Sequence, residues 1–530
     1  MLCAAYVLPG QIGRGPWKNA DVTAFGVMSS IAEGRSPWLA PTLGGVPVEA
    51  ALLPYWLGAA SIQLFSPWLD APTAARLPFA VLLALVLALT WLCTFELAYM
   101  PAAQPIPLAF GGEAKTGDYA RALADGSVLA VIATLGLAQL GHETTPELVQ
   151  LAATALALYG LAVGTRGKVL RSGIIFSAAL LALTASGAPA LASLLAVGSL
   201  ILSRKAGVAT LRPLRLWVAA AGGISAALGI MLGAWAWRLE APVSAAGVWG
   251  FLRQLVWFVW PSGPLALLTI WRWRAVGWQA HIVIPALGAA VGLGAFVSMG
   301  GSDRALMLSI PGLAVLAAFA LPTLKRGASS IMDWFSLFFF SFCGLFGWMY
   351  YTAMHTGFPG AAASNLARLY PLFAAPFSAP VLVIAILATL CWLVVLRWRV
   401  GRNQHPLWTG LILPATGVAW CWLLLMTLWL PLFDHARSYQ TLVDRLGPHL
   451  PRKQCIAAPF LPPGQVAAFE QLAGLVLNAR QDALQSGCMW LLRVEPAVGA
   501  TTAPPGWAQL AREARPTDRT EFTVLYRREK

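Results

Sequence analysis

The sequence predicts a mainly α-helical, polytopic membrane protein of about thirteen transmembrane helices, with interfacial helices in its first outer loop and a small C-terminal α/β domain on the outer face. Three observations predict it. Of 530 residues, 58% are hydrophobic and 11% charged, too little charge to cover a water-soluble surface of this size. Apolar runs near the ~20 residues that cross a bilayer recur as far as Leu432, after which the composition becomes ordinary. Lys and Arg gather in every second gap between those runs, as the positive-inside rule requires.

The apolar runs cover residues 1–9, 76–99, 127–140, 147–164, 174–184, 189–202, 216–237, 261–270, 281–299, 305–324, 331–354, 380–396 and 407–432. The first is too short to cross alone, so a longer or incomplete N-terminal helix is expected. It has no basic leader and no cleavage site followed by a soluble domain, which argues against a cleaved signal peptide. Residues 48–65 are apolar enough to cross, but counting them would reverse every later gap. They are read instead as a helix lying at the interface, with Tyr55 and Trp56 at headgroup level.

The basic clusters are Arg166/Lys168/Arg171, Arg204/Lys205/Arg212/Arg215, Arg272/Arg274, Lys325/Arg326 and Arg397/Arg399/Arg402, and all agree on one side. The intervening gaps, the first loop (about 10–75) and the tail then share the outer side. This divides the chain into a membrane domain, 1–432, and a periplasmic domain, 433–530, of a multi-pass protein in a bacterial-type inner membrane. The net charge of +14 is accounted for by this asymmetry, and no basic helix with base-stacking aromatics suggests a nucleic-acid partner. A monomer is expected.

In the tail, a helical pattern over 434–446 precedes a strand at 454–458, a helix at 465–479 and strands at 488–494 and 521–526. Of seven cysteines, Cys3, Cys93, Cys343, Cys391 and Cys421 lie in apolar runs, where they read as small hydrophobes. Cys455 and Cys488 each open a tail strand. In an oxidising compartment they could pair; two buried thiols are the alternative.

Carboxylates near the membrane are informative because a charge beside hydrocarbon is costly unless it is paired or used. Those on the outer side are Asp21, Glu49, Glu143 and Glu147, with Asp303 and His142 nearby. Asp21 also suits the start of the helical pattern 22–31, where an acid complements the helix dipole. Glu33, beside Gly34 and Arg35, reads as part of a solvated turn. In His142-Glu143-Thr144-Thr145-Pro146-Glu147, Thr145 can cap a helix with Pro146 at its first position and Glu147 in its first turn. That leaves His142 and Glu143 unexplained; as a metal-binding pair they lack a recognisable ligand spacing.

Several of these segments together resemble a known family. Asp21 with Phe25, Glu33-Gly-Arg-Ser-Pro-Trp-Leu-Ala-Pro41, Gly44-Gly-Val-Pro-Val-Glu49, Tyr55-Trp56-Leu57 and Ala75-Arg76-Leu77-Pro78 are similar to the first outer loop of the C-type glycosyltransferases. The branch resembled is that of the protein O-mannosyltransferases and lipid A aminoarabinose transferases. Glu147-Leu148 resembles its second acidic motif, Ser302-Asp-Arg304 through Ile310-Pro311 another outer segment, and Asp434 to Tyr439 the start of its outer α/β tail.

The resemblance implies transfer of a sugar from a polyprenyl-phosphate carrier to a lipid, glycan or protein acceptor on the outer face, with inversion. Its donor substrate would be the carrier-linked sugar; no cofactor is firmly implied, though a divalent metal is compatible. Asp21 would be the base or the acceptor-positioning acid, Glu49 its neighbour, and Glu143 or Glu147 the second acid. The family places a phosphate-binding Lys where Ala50 stands, and another near Leu183 to Gly187, and both are absent. Donor phosphate and substrate would then fall to Lys18, Arg35, Tyr55, His142, Arg253, Arg304 and Arg368. A catalytically silent relative that binds lipid-linked glycans is the alternative. A transporter is disfavoured, because the spans are nearly free of the midplane polar residues that transport uses.

Overall fold

A computed structural model of the chain describes residues 1–105, 114–235, 245–275, 277, 279–370, 373–400, 409–451, 454–497, 503–516, 518 and 520–529. Arg402 and the run boundaries at Trp237 and Leu407 lie outside the described residues. The chain is mainly helical and forms two compact units. One comprises Met1–Pro9, Phe79–Leu345 and Val383–Leu424; the other comprises Gly10–Pro78, Phe346–Leu382 and Leu425–Lys530.

Among the described residues, seven helices are long and apolar enough to cross a membrane, and further apolar helices are shorter. Several depart from the sequence pattern. The run expected at 127–140 is the helix Thr116–Ala133 followed by a short Leu137–Leu140 turn, parted at Thr134, whose backbone is extended. The run expected at 305–324 splits into Asp303–Met307 and Ile310–Ala320. The helix Ala245–Phe258 was hidden because Arg253 and Gln254 interrupt its apolar stretch. The segment read as interfacial does form a helix, Leu52–Phe65.

In the first unit, small residues let helices approach closely. A Cβ at Gly312 would strike Pro285 O and Ala289 N, so Ile310–Ala320 and Ala280–Ser298 pack backbone against backbone. Gly160 lies likewise against the backbone of Phe176, joining Pro146–Gly164 to Val169–Ala185. Hydroxyls add links where water is scarce: Ser172 Oγ donates to Gly160 O at 2.6 Å and Thr269 Oγ1 to Leu316 O at 2.7 Å.

The second unit contains two sheets. A two-residue hairpin, β1 (Thr42–Leu43) with β2 (Val46–Pro47), turns through Gly44 and Gly45, both at positive φ. The larger sheet comprises β3 (Cys455–Ala457), β4 (Val476–Asn478), β5 (Trp490–Pro496), β6 (Trp507–Glu513) and β7 (Glu521–Arg528), in the order β4-β3-β5-β7-β6. The β3 pairings are parallel and the β7 pairings antiparallel.

The tail's helices are shorter than expected. The 434–446 pattern breaks at Ser438, giving Leu430–Arg437 and Gln440–Leu446. The helix expected at 465–479 ends at Leu472, because Gly474 (φ +63) turns the chain into β4. One sheet face packs on a core in which Leu442, Val466, Phe469, Leu492 and Leu525 are joined by Val22 and Leu43 of the first loop. Gly26 makes this possible: a Cβ there would lie 2.5 Å from Ala467 Cβ, so Ala20–Ala32 rests directly on Pro463–Leu472. Cys455 and Cys488 form a disulfide with a Cα separation of 5.3 Å, within the usual range.

Candidate active site

In the second unit, the loop ahead of Ala20–Ala32 winds around Trp17, which is 2% exposed. Asp21 stands in that helix's first turn, as its dipole favours, but its carboxylate folds back. Asp21 Oδ2 accepts the Trp17 backbone N–H at 3.0 Å and pairs with Arg14 Nη2 at 3.2 Å. Asp21 and Arg14 are 1% and 2% exposed, so the pair is sealed from bulk water. Arg76, also 2% exposed, donates through Nη1 to Arg14 O.

A second carboxylate enters this cluster from the far end of the chain. Asp434, on Leu430–Arg437, accepts Trp17 Nε1–H at 2.7 Å and the Gly15 N–H at 3.3 Å. The Arg14 guanidinium lies 4.5 Å from the Trp17 ring centre and that of Arg437 5.3 Å, so the indole carries cationic neighbours as well. Asp434 is half-buried. Desolvation raises its proton affinity, against the lowering effect of its bonds to Trp17 and Gly15 and of Arg14 and Arg76.

The first unit holds the other acidic group. Glu143 is 2% exposed; its Oε1 accepts Gln139 Nε2–H at 2.9 Å and its Oε2 meets Arg304 Nη2 at 2.5 Å. Arg304 Nη1 also lies 3.8 Å from Glu147 Oε2, so one guanidinium spans two carboxylates. Glycines at positive φ, Gly300 and Gly301, turn the chain into the Asp303–Met307 helix that carries Arg304. Thr145 takes the N-cap position with Pro146 next, as expected, yet its hydroxyl makes no cap bond.

His142 is buried with Nδ1 2.7 Å from Ala138 O and Nε2 2.8 Å from Tyr6 O. Both ring nitrogens are engaged by carbonyls, and Glu143 is engaged by Arg304 and Gln139, so this pair does not fit a divalent cation. Among the described residues no three His, Cys, Asp or Glu side chains gather as a metal site would need.

Glu49 is exposed ahead of Leu52–Phe65, on which Tyr55 is 6% exposed. Arg35 pairs with Glu33 at 2.7 Å and Glu470 at 3.5 Å, and Ser29 Oγ donates to Glu33 at 2.6 Å. The Glu33 turn is therefore a fastening between the first loop and Pro463–Leu472, and not simply solvated. Lys18 is exposed, Arg253 is exposed on Ala245–Phe258, and Arg368 is exposed on Gly360–Leu369 beside Asn365.

Arg14, Trp17 and Gln139 escaped the sequence reading, and Asp434 was noted only as the start of the tail. Arg14 carried one signal: it is a cation in a loop that the charge pattern expects to be poor in them.

No protein-family model matches the chain, and no curated protein matches it. Solved structures do. ArnT from Cupriavidus metallidurans in the apo state superposes with a TM-score of 0.62 at 13% identity, covering 99% of this chain and 96% of that one. The same protein bound to undecaprenyl phosphate gives 0.61, with the same identity and coverage. This chain has the ArnT fold. The likeness runs nearly end to end, so the helical portion and the C-terminal sheet domain both belong to it.

Proposed function

We propose that the protein is a membrane glycosyltransferase that moves a sugar from a polyprenyl-phosphate carrier to a lipid, glycan or protein acceptor on the outer face of the inner membrane. The observation that carries this reading is the ArnT fold over 99% of the chain, in a protein solved with undecaprenyl phosphate bound. The two buried acid–arginine groups support it, since paired carboxylates and guanidiniums inside an apolar chain are retained at a cost.

In the proposed reaction an acceptor oxygen attacks the anomeric carbon and the carbon–oxygen bond to phosphate breaks. The bond electrons leave with the polyprenyl phosphate, and a carboxylate takes the acceptor proton. Asp21, Glu49, Glu143 and Glu147 are the acids proposed from the sequence, and the Trp17 cluster adds Asp434. Arg304, spanning Glu143 and Glu147, is proposed for the carrier phosphate, which would have to replace its longer contact to Glu147. Lys18, Arg253 and Arg368 are exposed cations that could assist; Arg35 is committed to Glu33 and Glu470. The tail domain is proposed to be periplasmic.

A silent relative remains the second reading, favoured by Ala50 in place of the family Lys. One assay separates them. Purified protein in lipid nanodiscs, given a panel of polyprenyl-phosphate pentoses and hexoses with an envelope glycolipid extract, should release free polyprenyl phosphate and label an acceptor. Binding of those donors without turnover would establish the silent relative.

A further inference from the structure

We infer that Asp434, rather than Asp21, is the carboxylate that takes the acceptor proton, and that Asp21 is a positioning residue. The inference rests on the glycosyl-transfer reading and assigns the base within it.

Asp21 is poorly placed to receive a proton from a substrate. It is 1% exposed, and its Oδ2 is shared between a guanidinium and a backbone N–H, both of which stabilise the ionised carboxylate. Asp434 differs in its exposure and in the charge of its donors. It is half-buried, and the bonds that orient it come from two neutral donors, Trp17 Nε1 and Gly15 N. Desolvation raises its proton affinity, against the lowering effect of Arg14 and Arg76. In the chain it follows closely on the apolar helix Gly410–Leu428.

The two acids are linked through Trp17. Asp21 fixes the Trp17 backbone and Arg14; the Trp17 indole then fixes Asp434. In the transfer step Asp434 accepts the proton as the acceptor oxygen bonds to the anomeric carbon. It releases that proton to water once polyprenyl phosphate departs.

The test compares Asp434→Asn, Asp434→Glu and Asp21→Asn in the full chain in nanodiscs, using whichever carrier-linked sugar the wild type turns over. Asp434→Asn keeps an oxygen for the Trp17 indole and loses only the longer bond from the Gly15 N–H, so it should melt close to wild type and keep the donor KM. Its kcat should fall about 100-fold or more, the scale of a lost general base, and the acid limb of the pH–rate profile should disappear. Asp21→Asn should instead lower thermal stability and retain the acid limb. If Asp434→Asn fails to accumulate, Asp434→Glu replaces it, with reduced kcat and a shifted acid limb expected. A kcat for the Asp434 variant within about threefold of wild type, or loss of the acid limb in Asp21→Asn instead, would overturn the assignment. A wild type that turns over no carrier-linked sugar defeats the glycosyl-transfer reading itself, and this inference with it.

Discussion

Arg14 and Asp21 show how a buried pair differs from a surface one. Both are sealed from solvent, so removing either leaves a buried charge without its direct ion-pair partner. Arg14→Ala or Asp21→Ala alone should each destabilise by about 3–5 kcal/mol, while the double substitution should cost clearly less than their sum. Thermal melting in detergent reads both, and strict additivity would show that the pair is not coupled. Glu143 and Arg304 make the same kind of contact with less burial on the arginine side. Glu143→Gln should weaken donor binding, because Arg304 loses its close anchor and keeps Glu147 at 3.8 Å; an unchanged donor KM would count against Arg304 as the phosphate ligand. The acids were visible in the sequence because charge is rare between apolar runs. Their partners were not: Gly15 and Asp434 are 419 positions apart, and no local periodicity links them.

Among elements, spans and strands were legible where a single period held, and their breaks were not. Thr134 interrupts an apolar run two residues before Gly136, which opens the next helix, and its hydroxyl bonds to Ala130 O at 2.7 Å and to Ser262 Oγ at 2.8 Å. Likewise β6 went unseen, because its outward residues and the irregularity between Gln509 and Ala511 blur the alternation. The Cys455–Cys488 bridge joins the start of β3 to the approach of its parallel neighbour β5, across 33 positions. Replacing both cysteines by serine should destabilise the tail by about 2–4 kcal/mol, measured as faster proteolysis of the tail in the full chain, with no such change if the bridge does not form. Between β6 and β7, Asp518 accepts from Thr520 and Arg515, which outweigh burial and hold its carboxyl at about 2. A depressed folded value stabilises above the unfolded range and is lost as pH falls through it. The melting difference between wild type and Asp518→Asn should therefore be full at pH 5 and vanish toward pH 2.

At the scale of the whole molecule, the sequence divides the chain at residue 432, whereas the tail's core takes Val22 and Leu43 from the first loop. A linear reading misses this because both residues look like ordinary members of an apolar stretch. The charge asymmetry makes a separate statement that packing does not supply, namely which ends of the helices face the cytoplasm. If it holds, Lys168 faces inward while Ala361 and Gln440 face outward, and all three are exposed enough to label. Single cysteines at these positions, in a chain whose other unpaired cysteines are replaced, should meet a membrane-impermeant maleimide differently. Ala361→Cys and Gln440→Cys should react once the outer membrane is permeabilised, and Lys168→Cys only after the inner membrane is lysed. Labelling of Lys168→Cys in cells with an intact inner membrane would reverse the topology. It would place the acidic clusters on the cytoplasmic side, where a lipid-linked donor presented to the outside would be out of reach.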